Sequence, residues 1–253
     1  MDTITIVTVC KNAGTAIGRT IDSVTSQDVA VDEYIVIDGK STDNTLDIVM
    51  AAVDNNPKLQ FKVISECDKG IYNAMNKALR ITSSSWVLFL NAGDELSNRD
   101  TVRNLRKAIS EDQTNSDFIY GNAIYRDERK TYSVRSKSIG KIAREMPFCH
   151  QCVLNRTSTM REYYYDEKYR ICADYNLYMT AYLNAKVFLR IDKDIAIYET
   201  GGYSQENVFA LIDEIYRIRI CAGQNYSAKI DRVIYKIKAT IKYVILGSRS
   251  TEK

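Results

Sequence analysis

The chain is organised around ISECDKGIYNAMNKALRITSSSWVLFLNAGDEL, which is residues 64–96. Apolar residues recur there at helical spacing and predict a helix over about residues 70–82 with one buried face. Residues 86–90 are continuously apolar, which is typical of a strand covered on both faces in a parallel sheet. A polar turn follows at once, and ligands of open α/β sheets bind just beyond the carboxyl ends of strands. Asn91 and Asp94 are therefore expected to meet a metal ion or a polar ligand, although an ordinary polar turn has the same composition.

The same order of strand, polar loop and helix occurs upstream. Residues 4–9 and 34–37 are apolar runs that predict two strands, and a helical pattern follows each. Strands that alternate with helices in this way favour a parallel sheet with right-handed crossovers. The predicted strands all end at one edge of the sheet, in loops that contain Lys11, Asn12, Asp38, Gly39, Asp68, Lys69, Asn91 and Asp94.

These loops lack two common nucleotide-binding motifs. No G-x-G-x-x-G follows the first strand and no G-x-x-x-x-G-K-[ST] occurs in the sequence, which argues against a dinucleotide enzyme and a P-loop ATPase. What remains is a nucleotide-type crevice of acids, an amide and a lysine. A lysine there would neutralise charge on a diphosphate.

The alternation of strand and helix is less regular in the second half of the chain. Residues 118–125 and 131–135 predict strands, and residues 174–183 predict a helix. Asp174 begins that helix, where an N-cap is the ordinary role of an acid. His150 is the only histidine, and a core or loop position is its ordinary role.

Composition and charge narrow the function. A chain of 253 residues with 45% hydrophobic content can bury one large domain, or one domain and an appendage. The net charge is +3, but residues 228–253 carry +5 and the body carries −2, which argues against a body that binds nucleic acid. Six cysteines without regular spacing indicate reduced thiols in a cytosolic protein. The first apolar run is cut at Lys11, which predicts neither a signal peptide nor a membrane span.

Several motifs together resemble the inverting family 2 glycosyltransferases; they are ITIVTVCKNAG, VIDGKSTDNT, SECDKGIYNAMNKAL, LFLNAGDEL, FCHQCVL and CADYNLYM. The resemblance covers about residues 3–205, and the last three motifs are most similar to the branch that builds bacterial surface polysaccharides. It implies a GT-A, Rossmann-like α/β fold, with a mostly parallel central sheet flanked by helices and a C-terminal helical extension. It also implies inverting transfer from a nucleotide-diphosphate sugar, with a UDP-sugar expected, to a glycan or a lipid-linked acceptor.

The resemblance also assigns residues to roles. Nucleotide-sugar binding falls to Thr8, Val9, Lys11, Asp38, Gly39, Lys69, Asn91 and Asp94. Asp94 would also be the protein ligand of a Mn²⁺ or Mg²⁺ cofactor. Asp174 would be the general base on the acceptor hydroxyl, and His150 and Gln151 would line the acceptor pocket.

The chain departs from the family pattern at two places. Lys11 stands where the family often has an aromatic residue, which puts base stacking in doubt. Asn91 and Gly93 replace carboxylates, so Asp94 is the main protein ligand and modest metal affinity is expected. Two other interpretations therefore stay open: a nucleotide-sugar-binding module without catalysis, and a sugar nucleotidyltransferase.

We expect a glycosyltransferase domain over residues 1–205, with a nucleotide-sugar half at 1–98 and an acceptor half at 99–205, followed by an extension at 206–253. A helix is expected over about residues 228–246, with an apolar stripe of Ile230, Val233, Ile234, Ile237, Ile241, Val244 and Ile245. Such a basic amphipathic helix either lies on an anionic membrane or docks on the protein's own core. A membrane role would make this a peripheral protein on the inner face of the plasma membrane, close to a polyprenyl-diphosphate-linked acceptor.

Overall fold

The computed structural model describes residues 2–127 and 130–249, and for 225–226 and 241–249 it describes the backbone alone. Within these residues one sheet contains β1 (Ile4–Cys10), β2 (Glu33–Asp38), β3 (Phe61–Ser65), β4 (Trp86–Phe89), β5 (Glu95–Leu96), β6 (Phe118–Arg126), β7 (Thr131–Val134), β8 (Val153–Arg156) and β9 (Phe188–Glu199). The helices are α1 (Ile17–Thr25), α2 (Thr45–Asn55), α3 (Ile71–Ile81), α4 (Thr101–Glu111), α5 (Thr157–Tyr163), α6 (Ala173–Leu183), α7 (Tyr203–Glu206), α8 (Val208–Cys221) and α9 (Asn225–Arg249).

The sheet has the order β3-β2-β1-β4-β8-β6-β9-β5, and β7 also pairs with β6. The first four strands in this order are parallel, as the alternating strand and helix pattern predicts. The second half adds antiparallel pairs of β8 with β4 and β6, of β7 with β6, and of β5 with β9, beside a parallel β6–β9 pair. The α/β fold is therefore as expected, and the run of four parallel strands belongs to residues 1–98.

The sheet is the middle layer of the molecule. Every residue of β1, β2 and β4 is buried, because helices cover both faces. Side chains alternate between the two faces: Val7 joins a core that includes α3 and α6, whereas Ile6 joins a core that includes α1 and α4. These two layers hold the carboxyl ends of the central strands in fixed positions.

The expected boundary after residue 205 does not coincide with a break in packing. Ile218 of α8 is buried in the core that contains α3 and α6. Glu214 of the same helix accepts hydrogen bonds from the backbone N–H groups of Arg170, Ile171 and Cys172, each at 2.9 Å. Helix α8 is thus part of the body, and the extension begins with α9.

Helix α9 contacts α8 through charged side chains. The Asp213 carboxylate accepts from Arg232 Nε at 2.7 Å and from Lys236 Nζ at 2.8 Å. The buried Arg219 guanidinium donates to Asp231 at 2.8 Å. The basic side of α9, which the sequence pattern placed off the apolar stripe, therefore meets the body.

The apolar stripe of α9 is exposed over the part whose side chains the structure describes. Exposed fractions are 43% for Ile230, 58% for Val233, 42% for Ile234 and 54% for Ile237. Docking of these four residues on the protein's own core, one of the two expected outcomes, does not occur. The stripe residues Ile241, Val244 and Ile245, and the tail at 250–253, lie outside the described side chains. Among the described helices, no segment has both the length and the apolar character needed to cross a bilayer.

Candidate active site

The loops after β1, β2 and β4 meet at one edge of the sheet. The Gly39 N–H donates to the Cys10 carbonyl at 2.8 Å, and the Ala92 N–H donates to the Val9 carbonyl at 3.3 Å. The strand-end residues of the nucleotide-sugar half are therefore neighbours, as the parallel topology predicts.

The tight turn that follows β4 places the Asp94 side chain in a buried position. Gly93 has φ +104°, a conformation that side-chain-bearing residues rarely adopt. Asp94 is 5% exposed, and its Oδ2 accepts from Gln151 Nε2 at 2.8 Å while its Oδ1 accepts from the Glu199 N–H at 3.1 Å. The net pKa of Asp94 is raised to about 7, and burial is the largest cause. The two hydrogen bonds lower the pKa, and the nearby Glu199 carboxylate raises it. The site therefore holds a carboxylate whose charge the protein does not fully compensate.

The oxygen atoms of this turn fit a hard divalent cation. Asn91 Oδ1 is buried and has no hydrogen-bond partner, beside the under-compensated carboxylate of Asp94. Carboxylate and amide oxygens are the ligands that Mg²⁺ and Mn²⁺ prefer. In the described part of the chain, no group of three or more His, Cys, Asp or Glu residues is placed to hold a metal ion. The donor set thus suits a cation that takes most of its ligands from a bound diphosphate or from water.

Asp174 is the second residue of α6 rather than its cap, because Cys172 occupies the N-cap position. Its Oδ1 accepts from the Tyr175 N–H at 2.8 Å and lies 3.1 Å from the Tyr72 hydroxyl. That hydroxyl also donates to the Ile171 carbonyl at 2.6 Å. The Asp174 side chain is 17% exposed, so it is held in place and still reachable from the cavity.

His150 lies between the two carboxylate regions. It begins a short 3₁₀ helix, His150–Cys152, directly before β8. Its Nδ1 is 3.4 Å from Asp174 Oδ2, and its Nε2 is 3.4 Å from Asn91 Nδ2. Burial lowers the pKa of His150, and the nearby Asp174 carboxylate opposes that change.

One cavity of about 890 Å³ joins these groups. It is lined by five of the residues singled out from the sequence: Asn91, Asp94, His150, Gln151 and Asp174. Its volume is in the range of ligand sites in proteins. Its wall also includes Tyr125, Tyr198 and Tyr203, and the tyrosines of the second half were a usable signal for a sugar-sized pocket, since aromatic faces suit sugar rings. Arg19, Tyr72 and Glu199 line the wall as well, and no sequence signal pointed to them.

Gln151 was expected to line the acceptor pocket, but its side chain is occupied by contacts within the protein. It is 2% exposed, its amide nitrogen is bonded to Asp94, and its Oε1 accepts from Cys149 Sγ at 2.7 Å. Gln151 therefore positions Asp94, and its described contacts leave little of it for an acceptor.

The predicted nucleotide contacts on β1 and β2 are mostly buried. Thr8 is 0% exposed and its hydroxyl is bonded to the Tyr34 hydroxyl at 2.9 Å, so its side chain is unavailable to a ligand. Val9 packs in the core. Both residues are buried because β1 is covered on both faces, so Thr8 is closed to a ligand and only a small part of Val9 is open to one.

Asp38 organises the loop after β2. Its carboxylate accepts from the Ser41 hydroxyl and from the Ser65 hydroxyl at 2.5 and 2.6 Å. Burial raises the pKa of Asp38, but these hydrogen bonds outweigh it and the net pKa is lowered, so the group is ionised at neutral pH. Gly39 permits a close approach, since a Cβ there would lie 3.1 Å from Asp68 Oδ2. Lys11 and Lys69 are exposed, and neither lines the cavity.

The mixed α/β sheet, with Asn91, Asp94 and Asp174 on the wall of one cavity, has the GT-A fold of solved glycosyltransferases. The chain belongs to glycosyl transferase family 2, whose family model matches residues 5–182. The fold and the family inferred from the sequence motifs are thus confirmed.

Relatives and solved structures agree with this assignment. The chain is 28% identical over 196 residues to a PGL/p-HBAD biosynthesis glycosyltransferase of Mycobacterium tuberculosis, covering 76% of this chain and 75% of that protein. The structure is similar to Staphylococcus aureus TarS 1-349 in complex with UDP, at TM-score 0.68 and 21% identity, covering 88% of this chain and 66% of that one. It is also similar to the mannosyltransferase PcManGT of Pyrobaculum calidifontis in complex with GDP-Man and Mn²⁺, at TM-score 0.69 and 17% identity, covering 88% of this chain and 65% of that one.

Proposed function

We propose that this protein transfers a sugar from a UDP-sugar to a hydroxyl of a glycan or lipid-linked acceptor, with inversion, in the synthesis of a surface polysaccharide. The observation that carries the proposal is the single cavity in which Asn91 and Asp94 face Asp174, with His150 between them. The glycosyltransferase relatives and the UDP-bound neighbour support the donor class.

Asp174 would act as the general base. A carboxylate held by the Tyr175 N–H can accept the proton of the acceptor hydroxyl as that oxygen attacks the anomeric carbon. Attack of that oxygen on the anomeric carbon opposite the leaving diphosphate, in one displacement, would give inversion. Lys11 and Lys69 would supply point charges to the diphosphate from the exposed edge.

Asp94 and Asn91 would hold a divalent cation, since their oxygen atoms fit one. When bound, Mn²⁺ or Mg²⁺ stabilises the negative charge that develops on a leaving nucleoside diphosphate. Gln151 and the Glu199 N–H hold the Asp94 carboxylate in its buried position beside Asn91.

Donor turnover tests the proposed function. The purified protein is incubated with a panel of sugar nucleotides and Mn²⁺ or Mg²⁺, first in a thermal-shift screen and then in an assay for released nucleotide. We expect UDP release that chelator abolishes. Pyrophosphate released from a nucleoside triphosphate would instead identify a nucleotidyltransferase, and donor binding without turnover would identify a binding module.

The exposed stripe of α9 supports a peripheral location on an anionic membrane surface at the cytoplasmic face. Val233 and Ile237 are more than half exposed, and the cations Lys229 and Lys238 are exposed on the same helix. Apolar insertion combined with about 1 kcal/mol for each basic residue near an anionic leaflet is the usual basis of such binding.

Vesicle sedimentation tests this location. The double variant Val233→Glu with Ile237→Glu should lose binding to anionic vesicles and keep its fold, because both side chains are exposed. Met50→Glu, at an exposed apolar position on α2, is the matched control and should bind as the wild type does. Equal sedimentation of all three proteins would contradict the proposal that the exposed stripe of α9 binds a membrane.

A further inference from the structure

His150 contacts a residue from each of the two predicted halves of the site. Its ring nitrogens lie 3.4 Å from Asn91 Nδ2 at the end of β4 and 3.4 Å from Asp174 Oδ2 at the start of α6. Its side chain is 16% exposed, so protein groups rather than water set the position of its proton.

The two neighbours of His150 select the same tautomer. An amide nitrogen carries donors only, so the His150 Nε2 that faces Asn91 Nδ2 has to be the acceptor. The proton of the neutral ring then lies on Nδ1, where it faces the Asp174 carboxylate. The other tautomer would set a ring lone pair against that carboxylate and a ring N–H against the amide N–H groups, so it is disfavoured on both sides.

We propose that His150 is a positioning residue for the base, with Asn91 fixing its Nδ1–H tautomer and that N–H directed at Asp174 Oδ2. The catalytic part of this inference rests on the proposed function. Oδ1 of Asp174 is already bonded to the Tyr175 N–H, so a second donor at Oδ2 fixes the plane of the carboxylate. The 3.4 Å separation closes to a normal hydrogen bond with a small movement, as happens at catalytic sites when substrate binds.

Asn91 thereby connects the donor site to the base. Its Nδ2 faces the imidazole while its Oδ1 is buried without a partner, which leaves the oxygen for a donor hydroxyl or a cation. A ligand on Oδ1 holds the amide in the orientation that keeps the proton on His150 Nδ1. An aspartate at position 91 would offer an extra carboxylate to a cation but would have no N–H for the ring.

Nitrogen NMR of the imidazole reads the tautomer directly, because the chain has a single histidine. At pH 7.5, without donor or metal, the wild type should carry its ring proton on Nδ1. Asn91→Asp should acquire a proton on Nε2, while Asn55→Asp, at an exposed position at the end of α2, should leave the spectrum unchanged. A wild-type ring protonated on Nε2, or an Asn91→Asp spectrum like that of the wild type, would overturn the assignment.

Steady-state kinetics separates positioning from acceptor binding. His150→Leu should lower kcat by about 10–100-fold, the usual effect of removing a group that orients a functional ligand, with the acceptor KM within about twofold of wild type. His150→Asn places an amide N–H near the former Nδ1 position and should recover a large part of kcat. A raised acceptor KM with an unchanged kcat would contradict the proposal and favour an acceptor contact. The NMR result needs no sugar donor, so a protein that turns over no donor would refute the proposed function and leave the tautomer assignment standing.

Discussion

Asp94→Asn should stabilise the metal-free protein at alkaline pH and not at acidic pH. Burial raises the pKa of this carboxyl from 3.8 to about 7, which corresponds to about 4 kcal/mol of unfavourable free energy once the group is ionised. Asparagine removes the charge but also removes one acceptor, since the carboxylate accepts from both Gln151 and the Glu199 N–H. A lost buried hydrogen bond costs about 1–3 kcal/mol. The expected net gain in the free energy of unfolding at pH 8 is therefore about 2 kcal/mol.

The sign of the pH dependence follows from where the proton is held. Between about pH 4 and pH 7, folded wild-type protein keeps a proton on Asp94 that the unfolded chain has lost, so wild-type stability falls as pH rises through this window. The variant lacks this dependence. The difference between the two proteins should grow by about 1.4 kcal/mol per pH unit between pH 5 and 7 and be constant above that.

Urea unfolding with chelator at pH 5, 6, 7 and 8 measures this difference. Asp54→Asn, at an exposed position on α2, is the control for loss of a carboxylate and should show no such trend. At pH 8, added Mg²⁺ should stabilise the wild type and leave the Asp94→Asn variant unaffected, because only a protein that binds the ion gains from it. A difference that does not vary with pH would refute the claim that this carboxylate is buried without compensation.

Two further changes test how the site is held. Gly93→Ala should lower the free energy of unfolding by about 1–2 kcal/mol, because Gly93 has a φ of +104°. Gly18→Ala in α1 should raise the free energy of unfolding by about 0.5–1 kcal/mol, because a Cβ there meets open space. Urea titration of both variants distinguishes backbone strain from a general effect of alanine. Glu214→Ala should lower the free energy of unfolding by about 3 kcal/mol, because three backbone N–H groups before Asp174 lose their acceptor, and Glu214→Gln should lose less. Equal losses for these two variants would contradict this expectation, because glutamine keeps the size of the side chain and one acceptor oxygen.

Much of the parallel half of the fold could be predicted, since periodicity there is strong. The helix expected at residues 70–82 is Ile71–Ile81, and the strand expected at 86–90 is Trp86–Phe89. Such boundaries follow from local spacing, which the chain specifies without knowledge of its partners. The antiparallel pairs of the second half depend on contacts distant in sequence, such as Leu88 with Leu154, and no local pattern identifies them.

The candidate site was predictable where residue type limits the role. Asn91, Asp94, His150 and Asp174 line one cavity because strand ends and a helix start meet there. The direction in which a strand residue points was not predictable in a strand buried on both faces, so Thr8 was misjudged as a ligand contact. The contacts of Gln151 and Glu199 with Asp94 were also not predictable, because they span 57 and 105 positions.

The tail illustrates a similar limit. Periodicity identified the apolar stripe of α9 but not the face that docks. That choice depends on Asp213 of α8, which binds Arg232 and Lys236 and so leaves Val233 and Ile237 exposed.

The central claim is that a carboxylate at the start of α6 is the base of a glycosyltransferase. The most direct test is sugar transfer by the Asp174→Asn variant. Transfer to acceptor and binding of UDP with Mg²⁺ are measured on the wild type, on Asp174→Asn and on the control Asp54→Asn. Transfer should fall by about 10²–10⁴-fold in Asp174→Asn, with UDP affinity within about threefold of the wild type, because Asp174 serves the acceptor hydroxyl. Near-wild-type transfer by Asp174→Asn would contradict the account.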